Sequence, residues 1–338
     1  MKPKKLPSGN WNIRVYVGTD EKGHSIMKSI TAPTKKEAKD RAEQYTTKGS
    51  DMRVKDMVFR YIEEREAVIS PNTHRGYIGM YNASIKDNVF GSLYFFSLTD
   101  ALVQRWVSGI AKDRSPKTVK NTYGLFTAAT AFFYPRTYFN VKLPQAMRPR
   151  LHTPTTAEVE KVLEYAKNHN FELYKAVLLS AVGMMRQGEI AALTADDIDF
   201  DKGLVSITKS LAKTVDGDFV IKPPKTESSN RVIRLPDFVI SQLPREGRVV
   251  DMNPRYMTLA FSRMVKKLDV ERFRFHDLRH YAASIAASSS VGASVETIKA
   301  RGGWATDSMM KRVYINLLED EEAKDVSQIN DFYAKKGW

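Results

Sequence analysis

The chain has 338 residues, of which 53 are Lys or Arg and 39 are Asp or Glu, giving a formal charge of +14. At about 100 to 200 residues per domain the length predicts two or three domains, and a composition of 42% hydrophobic and 27% charged residues excludes disorder as the default. The absence of cysteine removes disulfides, thiolate zinc sites and cysteine nucleophiles together, so any nucleophile has to be an oxygen or a nitrogen.

The basic residues between Met1 and Asn12 are not followed by an apolar run. The most apolar stretch, Ala176 to Met185, is far shorter than a membrane span. A soluble, intracellular protein with no membrane partner is expected. The positive charge is unevenly placed: residues 1–50 carry +6, residues 51–150 carry +7, and residues 151–338 only +1. Lys and Arg that neutralise phosphates dominate nucleic-acid affinity, so this gradient predicts a polyanion-binding front end joined to a more balanced unit. Taken alone, the same excess also serves solubility.

In chain order, Trp11 to Val17 alternates as a strand, and Ser25 to Ile30 forms a second strand after the turn Asp20-Glu-Lys-Gly23. Thr34-Lys-Lys-Glu37 has the spacing of a capping box that opens a helix through Ala38, Ala42 and Tyr45. A small sheet on one helix follows, able to set a strand face and many lysines against DNA or another protein. Gly49-Ser50 is the expected hinge. From Val54 to about Phe139 the pattern is helical. Met57, Phe59, Tyr61 and Ile62 mark one helix, and Pro71-Asn72-Thr73 caps the next. Leu98-Thr99-Asp100 starts a third, and Ser115-Pro-Lys-Thr118 a fourth that runs to Phe133. His74, Arg75, Lys117 and Lys120 fall near helix N-termini, where backbone amides and a basic side chain can hold a phosphate together. Taken singly, each reads first as a solvated helix start.

Pro144, Pro149 and Pro154 mark a linker that also holds Arg148 and Arg150, and Thr155-Thr-Ala-Glu158 caps the first helix beyond it. A helix from Leu173 to Val182 runs into Gly183 and Arg186. Leu204 to Thr208, Phe219 to Lys222 and Arg231 to Leu235 are expected strands, and the chain past Arg274 is again helical. The predicted class is therefore α+β: a small sheet-plus-helix domain at 1–49, a helical domain at 50–143, a linker at 144–153, and a mainly helical domain with a small antiparallel sheet at 154–338.

Several pairs in the last domain can carry chemistry. His276 and Arg279 stand at i and i+3, on one side of a helix, and Arg186 and Glu189 have the same relation, which lets a carboxylate orient a guanidinium. Taken singly, each pair is an ordinary helix-surface pattern. Their order along the chain is more specific. Arg186 with Glu189, then Lys225 in Pro224-Lys225-Thr226 ahead of Ser229-Asn230-Arg231, then His276 with Arg279, Gly302-Gly303-Trp304, and Tyr314 together resemble the signature of the tyrosine recombinases, the phage and conjugative-transposon integrases. The resemblance covers the whole chain, with its N-terminal part resting on layout and charge.

What the resemblance implies can be taken residue by residue. Arg186 and Arg279 bind the non-bridging oxygens of a scissile phosphate, as fixed donors must where no metal stabilises the charge. Tyr314 is the nucleophile and forms a 3′-phosphotyrosyl link, which conserves the phosphodiester bond energy so that no nucleotide cofactor is needed. Lys225 protonates the leaving 5′-oxygen, His276 serves as base or phosphate ligand, and Glu189 supports Arg186 from behind. Trp304 stands where many members have histidine; an indole N–H donates a hydrogen bond but exchanges no proton. The resemblance further implies an arm-type DNA-binding domain at 1–49 and a core-binding domain at 50–143. The partners are double-stranded DNA with core and arm sites, a homotetramer at a Holliday junction with a C-terminal tail (about 316–338) exchanged between protomers, and accessory bending or excision factors. No cofactor or metal is expected, and the setting is a mobile element in the cytoplasm and nucleoid of a bacterial host.

Rival candidates are Lys213 and Lys222 for the lysine, and Tyr281 and Tyr333 for the nucleophile. His280 is left between packing and phosphate contact. The rival functions are a DNA-binding regulator that has kept the fold without cleavage and a relaxing enzyme of the type IB topoisomerase kind. The full set of candidate residues argues against the first, and the basic front end against the second.

Overall fold

The computed structural model describes residues 2–19, 25–46, 51–135, 137–145, 152–223, 229–288 and 291–304. The chain divides into two units, 1–148 with 214–216, and 149–213 with 217–338.

In the first unit β1 (Lys4–Lys5), β2 (Trp11–Thr19) and β3 (Ser25–Ala32) form an antiparallel sheet in that order. Alternation decides its faces. Ile13, Val15, Ile30 and Ala32 turn inward toward Ala38 and Ala42 of α1 (Lys35–Thr46), whereas Arg14, Tyr16 and Met27 are exposed on the other face. Register sets Arg14 opposite Ser29 and Tyr16 opposite Met27. Thr34 Oγ1 accepts the Glu37 amide at 3.1 Å and so starts α1.

The helical part comprises α2 (Val54–Arg65), α3 (Pro71–Ser84), α4 (Val89–Ser92), α5 (Asp100–Ala111) and α6 (Pro116–Phe133). Ser70, Asn88, Thr99 and Ser115 cap the last four through their side chains. The cap of α3 is thus Ser70; Pro71 takes the first helical position, where its missing N–H costs nothing. Of the apolar residues that mark α2, Met57, Tyr61 and Ile62 are buried and Phe59 points outward. Phe90 stacks on Trp106 with ring centroids 4.2 Å apart, and the Trp106 indole donates to the Ser84 carbonyl at 2.9 Å, so the buried ring keeps no orphan donor.

The second unit begins with α7 (Thr156–His169), where Thr155 and Glu158 form a reciprocal capping box. Helix α8 (Phe171–Ala181) is buried along most of its length and is the axis of the core, packed by Phe261, Phe275 and Leu278 among others. Next come α9 (Gln187–Ala192), β4 (Ile198–Asp199), β5 (Leu204–Ile207), and β6 (Ser210–Lys213) paired with β7 (Phe219–Lys222) as a separate antiparallel hairpin. Strand β8 (Arg231–Arg234) completes an antiparallel sheet in the order β4-β5-β8. Strands β4 and β6 were not anticipated, since two and four residues are too few to display a period. Helices α10 (Asp237–Ile240), α11 (Pro254–Val265), α12 (Asp277–Ala287) and α13 (Val295–Gly302) follow. The fold is α+β and mainly helical, and no described helix is long and apolar enough to cross a membrane.

Candidate active site

The turn that ends α8 places the first arginine. A Cβ on Gly183 would meet the Leu179 carbonyl at 2.7 Å, so the chain passes there without a side chain. Met184 follows with φ 54°, the one non-glycine residue in the left-handed region among the described residues. Its side chain is buried with Ala282, Ala283, Ile298 and Trp304, and packing of this kind is what holds an unfavourable backbone conformation. Arg186 then occupies the N-cap of α9 in extended geometry. Glu189 reaches back to it, accepting the Arg186 amide at 2.8 Å and its guanidinium at 2.7 Å. The Arg186 side chain remains 34% exposed, which leaves part of the cation open to a ligand.

Glu189 is nearly enclosed and serves two arginines. Arg231 at the start of β8 donates to both carboxylate oxygens, at 3.1 and 2.9 Å. Burial alone would raise the Glu189 carboxyl, but the hydrogen bonds and charge of Arg231, with Arg186 adding to them, outweigh it and hold the group below its ordinary range.

Helix α12 brings the second arginine. Asp277, buried in its first turn, accepts the Arg274 amide at 2.7 Å and the Arg274 guanidinium at 3.1 and 2.9 Å, which fixes the approach to the helix. Arg279 is fully buried, its terminal nitrogens donating to the carbonyls of Met184 and Gly302 and its guanidinium lying 4.4 Å from the Trp304 ring centroid. Burial pushes it well below the ordinary arginine range, and Arg186 and Arg231 push the same way while Glu189 opposes them. A guanidinium does not give up its proton in a protein, so Arg279 stays a cation despite its burial. His276 caps α12 one turn before Arg279, at a shallower depth. Loss of hydration pushes its imidazole down to about 4, helped by the charges of His280, Arg279 and Arg186 and opposed by Asp277. Part of the residue remains at the surface, while its ring is held neutral near pH 7. A neutral ring can accept a proton.

All three arginines meet at one place, the C-terminus of α13. Arg231 Nε donates to the Arg301 carbonyl at 2.7 Å, Arg279 to the Gly302 carbonyl, and Arg186 to the Gly303 carbonyl at 2.7 Å. Carbonyls at a helix end lack intrahelical partners and carry the negative end of the helix dipole, so three cations suit them. Gly303 adopts φ 60° and ends the helix by the usual left-handed turn, and a Cβ on Gly302 would lie 2.5 Å from the Trp304 ring. The two glycines therefore let Trp304 fold back over Arg279. Three guanidiniums against one carboxylate leave a local positive excess with one open face, at Arg186.

Of the expected site residues, the structure brings Arg186, Glu189, His276, Arg279 and Trp304 together. Lys225, Tyr314, Arg148, Arg150, the rival Tyr333 and the tail lie outside the described residues. Lys213 sits over the Phe219 ring on the β6–β7 hairpin, which Lys222 closes. Tyr281 packs against the core with its hydroxyl 3.4 Å from Thr156 Oγ1. His280 stacks edge-on to His276 with centroids 5.1 Å apart. In the first unit His74 is largely covered and 3.5 Å from Glu66, whereas Arg75 on α3 and Lys117 and Lys120 near the start of α6 are exposed. Sequence reasoning missed Arg231 as a member of the cluster. The only available signal was its place in the motif after Lys225, since a lone arginine opening a strand has no periodicity to betray burial.

The phage integrase family model matches residues 153–321. The chain is 21% identical to a XerC-like tyrosine recombinase of Caldanaerobacter subterraneus subsp. tengcongensis, over 96% of each chain. Among solved structures its fold resembles that of the Tn1549 transposon integrase in complex with transposon right end DNA, with TM-score 0.67, 18% identity, and coverage of 81% of this chain and 99% of that one. It also resembles a lambda integrase tetramer bound to a Holliday junction, with TM-score 0.57, 13% identity, and coverage of 92% and 94%.

Proposed function

This chain belongs to the phage integrase family and is a tyrosine-type site-specific DNA recombinase, and from that premise we propose that it cuts and rejoins DNA at the phosphate held beside Arg186, with Tyr314 as nucleophile. The observation that supports this reading is the gathering of Arg186, Arg279 and Trp304 about the end of α13, with His276 one turn before Arg279 at the start of α12: an electropositive site of arginines whose charge is fixed before any substrate arrives. The Tyr314 oxygen forms a bond to phosphorus while the bond to the 5′-oxygen breaks, giving a 3′-phosphotyrosyl link and a free 5′-hydroxyl. Neutral His276 receives the phenol proton, Lys225 supplies a proton to the 5′-oxygen, and religation runs the same steps backward. Arg186 meets the phosphate first. Arg279 adds its charge from beneath, and has to release one of its carbonyls to touch the phosphate itself.

The rest of the expected assembly fits the same reading. The exposed sheet face of Arg14, Tyr16 and Met27 serves arm-type DNA. Arg75, Lys117 and Lys120 with the linker arginines Arg148 and Arg150 hold core DNA, and His74 contributes only once freed from Glu66. Four protomers assemble on two DNA partners, exchanging their C-terminal tails, with accessory bending or excision factors setting direction. The test is an SDS-resistant protein–DNA adduct on nicked duplexes tiled across the junctions that flank its own gene. Wild type forms the adduct and Tyr314→Phe does not. No wild-type adduct on any junction rules out the cleavage reading, and an adduct that persists in the Phe variant moves the nucleophile elsewhere.

A further inference from the structure

Only 5% of the Arg231 side chain is exposed, as for Glu189, yet nothing in the expected chemistry uses it. Its guanidinium spends every arm: both terminal nitrogens go to Glu189, one of them also to the Ser229 carbonyl at 3.2 Å, and Nε goes to the Arg301 carbonyl. The last contact makes Arg301, Gly302 and Gly303 three successive carbonyls held by three different arginines. From Trp304 the chain continues to Tyr314, ten residues later.

We infer that Arg231 is a positioning residue for strand cleavage, fixing Arg186 through their shared Glu189 and seating the end of α13 through the Arg301 carbonyl. The inference rests on the recombinase reading for its catalytic part, but the seating stands on geometry alone. Glu189 has two oxygens and two arginine partners. If the Arg231 fork is lost, both oxygens become available to Arg186 alone, and the carboxylate draws that guanidinium away from the Gly303 carbonyl and closes the one open face of the site. Arg231 thus keeps Glu189 from overbinding Arg186, which a mere charge-balancing partner would not need to do with bidentate geometry.

The test uses full-length Arg231→Lys, which keeps the charge but loses the fork, alongside Arg186→Lys and the double variant. DNA affinity is expected to stay within about threefold of wild type while adduct formation slows by about tenfold or more, a rate loss without a binding loss. The double variant is expected to cleave no more than about threefold slower than Arg186→Lys alone, because one residue acts through the other. Amide hydrogen exchange at Gly303 and Trp304, whose N–H groups bond to Ala300 and Lys299, reads seating without any need for cleavage and is expected to accelerate in Arg231→Lys. Should Arg231→Lys not fold, Arg231→Ala is assayed with and without guanidinium ion, which is expected to restore both slow exchange and cleavage. Wild-type cleavage by Arg231→Lys, losses that multiply in the double variant, or unchanged exchange at Gly303 and Trp304 would each overturn the inference. Altered exchange together with no wild-type adduct overturns the recombinase reading instead and leaves the seating role intact.

Discussion

Replacing Glu189 with Gln tests the cluster at its single anion. In the folded chain each Glu189 oxygen accepts two donors: Oε1 takes Arg186 NH1 at 2.7 Å and Arg231 NH1 at 3.1 Å, and Oε2 takes the Arg186 amide at 2.8 Å and Arg231 NH2 at 2.9 Å. A carboxylate has about four acceptor sites, so all are used. Glutamine is nearly isosteric, but whichever way its amide is turned, the NH2 faces two donors and the anion is gone. Removing one partner of a buried ion pair costs about 3–5 kcal/mol. At about 2–4 °C per kcal/mol for a unit of this size, the melting temperature at pH 7 should fall by roughly 6–20 °C. The pH dependence follows from the direction of the Glu189 shift. A carboxyl held below its unfolded value of 4.5 stabilises the fold above that pH, and this contribution is lost as pH falls through the lower folded value. The gap between wild type and Glu189→Gln should therefore narrow below pH 4.5, which thermal unfolding followed by circular dichroism from pH 3 to 8 will reveal. A variant that melts within about 2 °C of wild type at pH 7 would refute the four-bond account.

Two further predictions concern neighbours of that anion. His276, with its ring pushed down to about 4, should stay neutral through pH 5–8, so the NMR shifts of its ring nitrogens should not titrate in that range, unlike a free histidine near 6.5. In linkage terms the unfolded chain takes up this proton between 6.5 and 4 while the folded chain does not, so stability falls as pH drops through that window, and His276→Gln should remove that part of the slope. Gly302→Ala puts a methyl 2.5 Å from the Trp304 ring; the expected overpacking cost is about 1–3 kcal/mol, with a measurable drop in melting temperature and slower adduct formation, and an unperturbed variant would show that Trp304 does not lie over Gly302.

What could be read from the sequence was whatever repeats or caps. The alternation from Trp11 to Val17 defined β2, and Thr155 with Glu158 marked the start of α7, because both patterns act over a few adjacent residues. Arg186 and Glu189 were legible for the same reason, three residues apart on one short helix. The remaining contacts of the site are long-range. Arg231 reaches Glu189 across 42 positions and Arg186 reaches Gly303 across 117, and no local pattern encodes either distance. Met184 was equally hidden, since nothing about methionine announces a left-handed backbone; only the packing of Ala282, Ala283 and Ile298 around it makes that conformation worth its cost. The depth of Arg279 could not be foreseen either, because the i, i+3 spacing from His276 sets a side of the helix but not how far below the surface that side lies.

Charge counted along the chain and charge counted in space answer different questions here. Residues 151–338 carry only +1, which on its own suggests a unit with little use for an anion. Yet Arg186, Arg231 and Arg279 converge on the carbonyls at the end of α13, with Glu189 the one carboxylate that pairs with Arg186 and Arg231 there. The two kinds of charge also respond differently to salt. Exposed lysines of the first unit, such as Lys117 and Lys120, act over distances comparable to the screening length of about 8–10 Å, so in the proposed reading ionic strength governs how tightly they gather DNA. Buried guanidiniums held by backbone carbonyls are screened little, and they already stand in position before a phosphate arrives. Gathering DNA and stabilising one reacting phosphate are thus separable tasks. On the proposed reading, the division explains why the unit holding the arginine cluster can be nearly neutral while the chain as a whole is strongly basic.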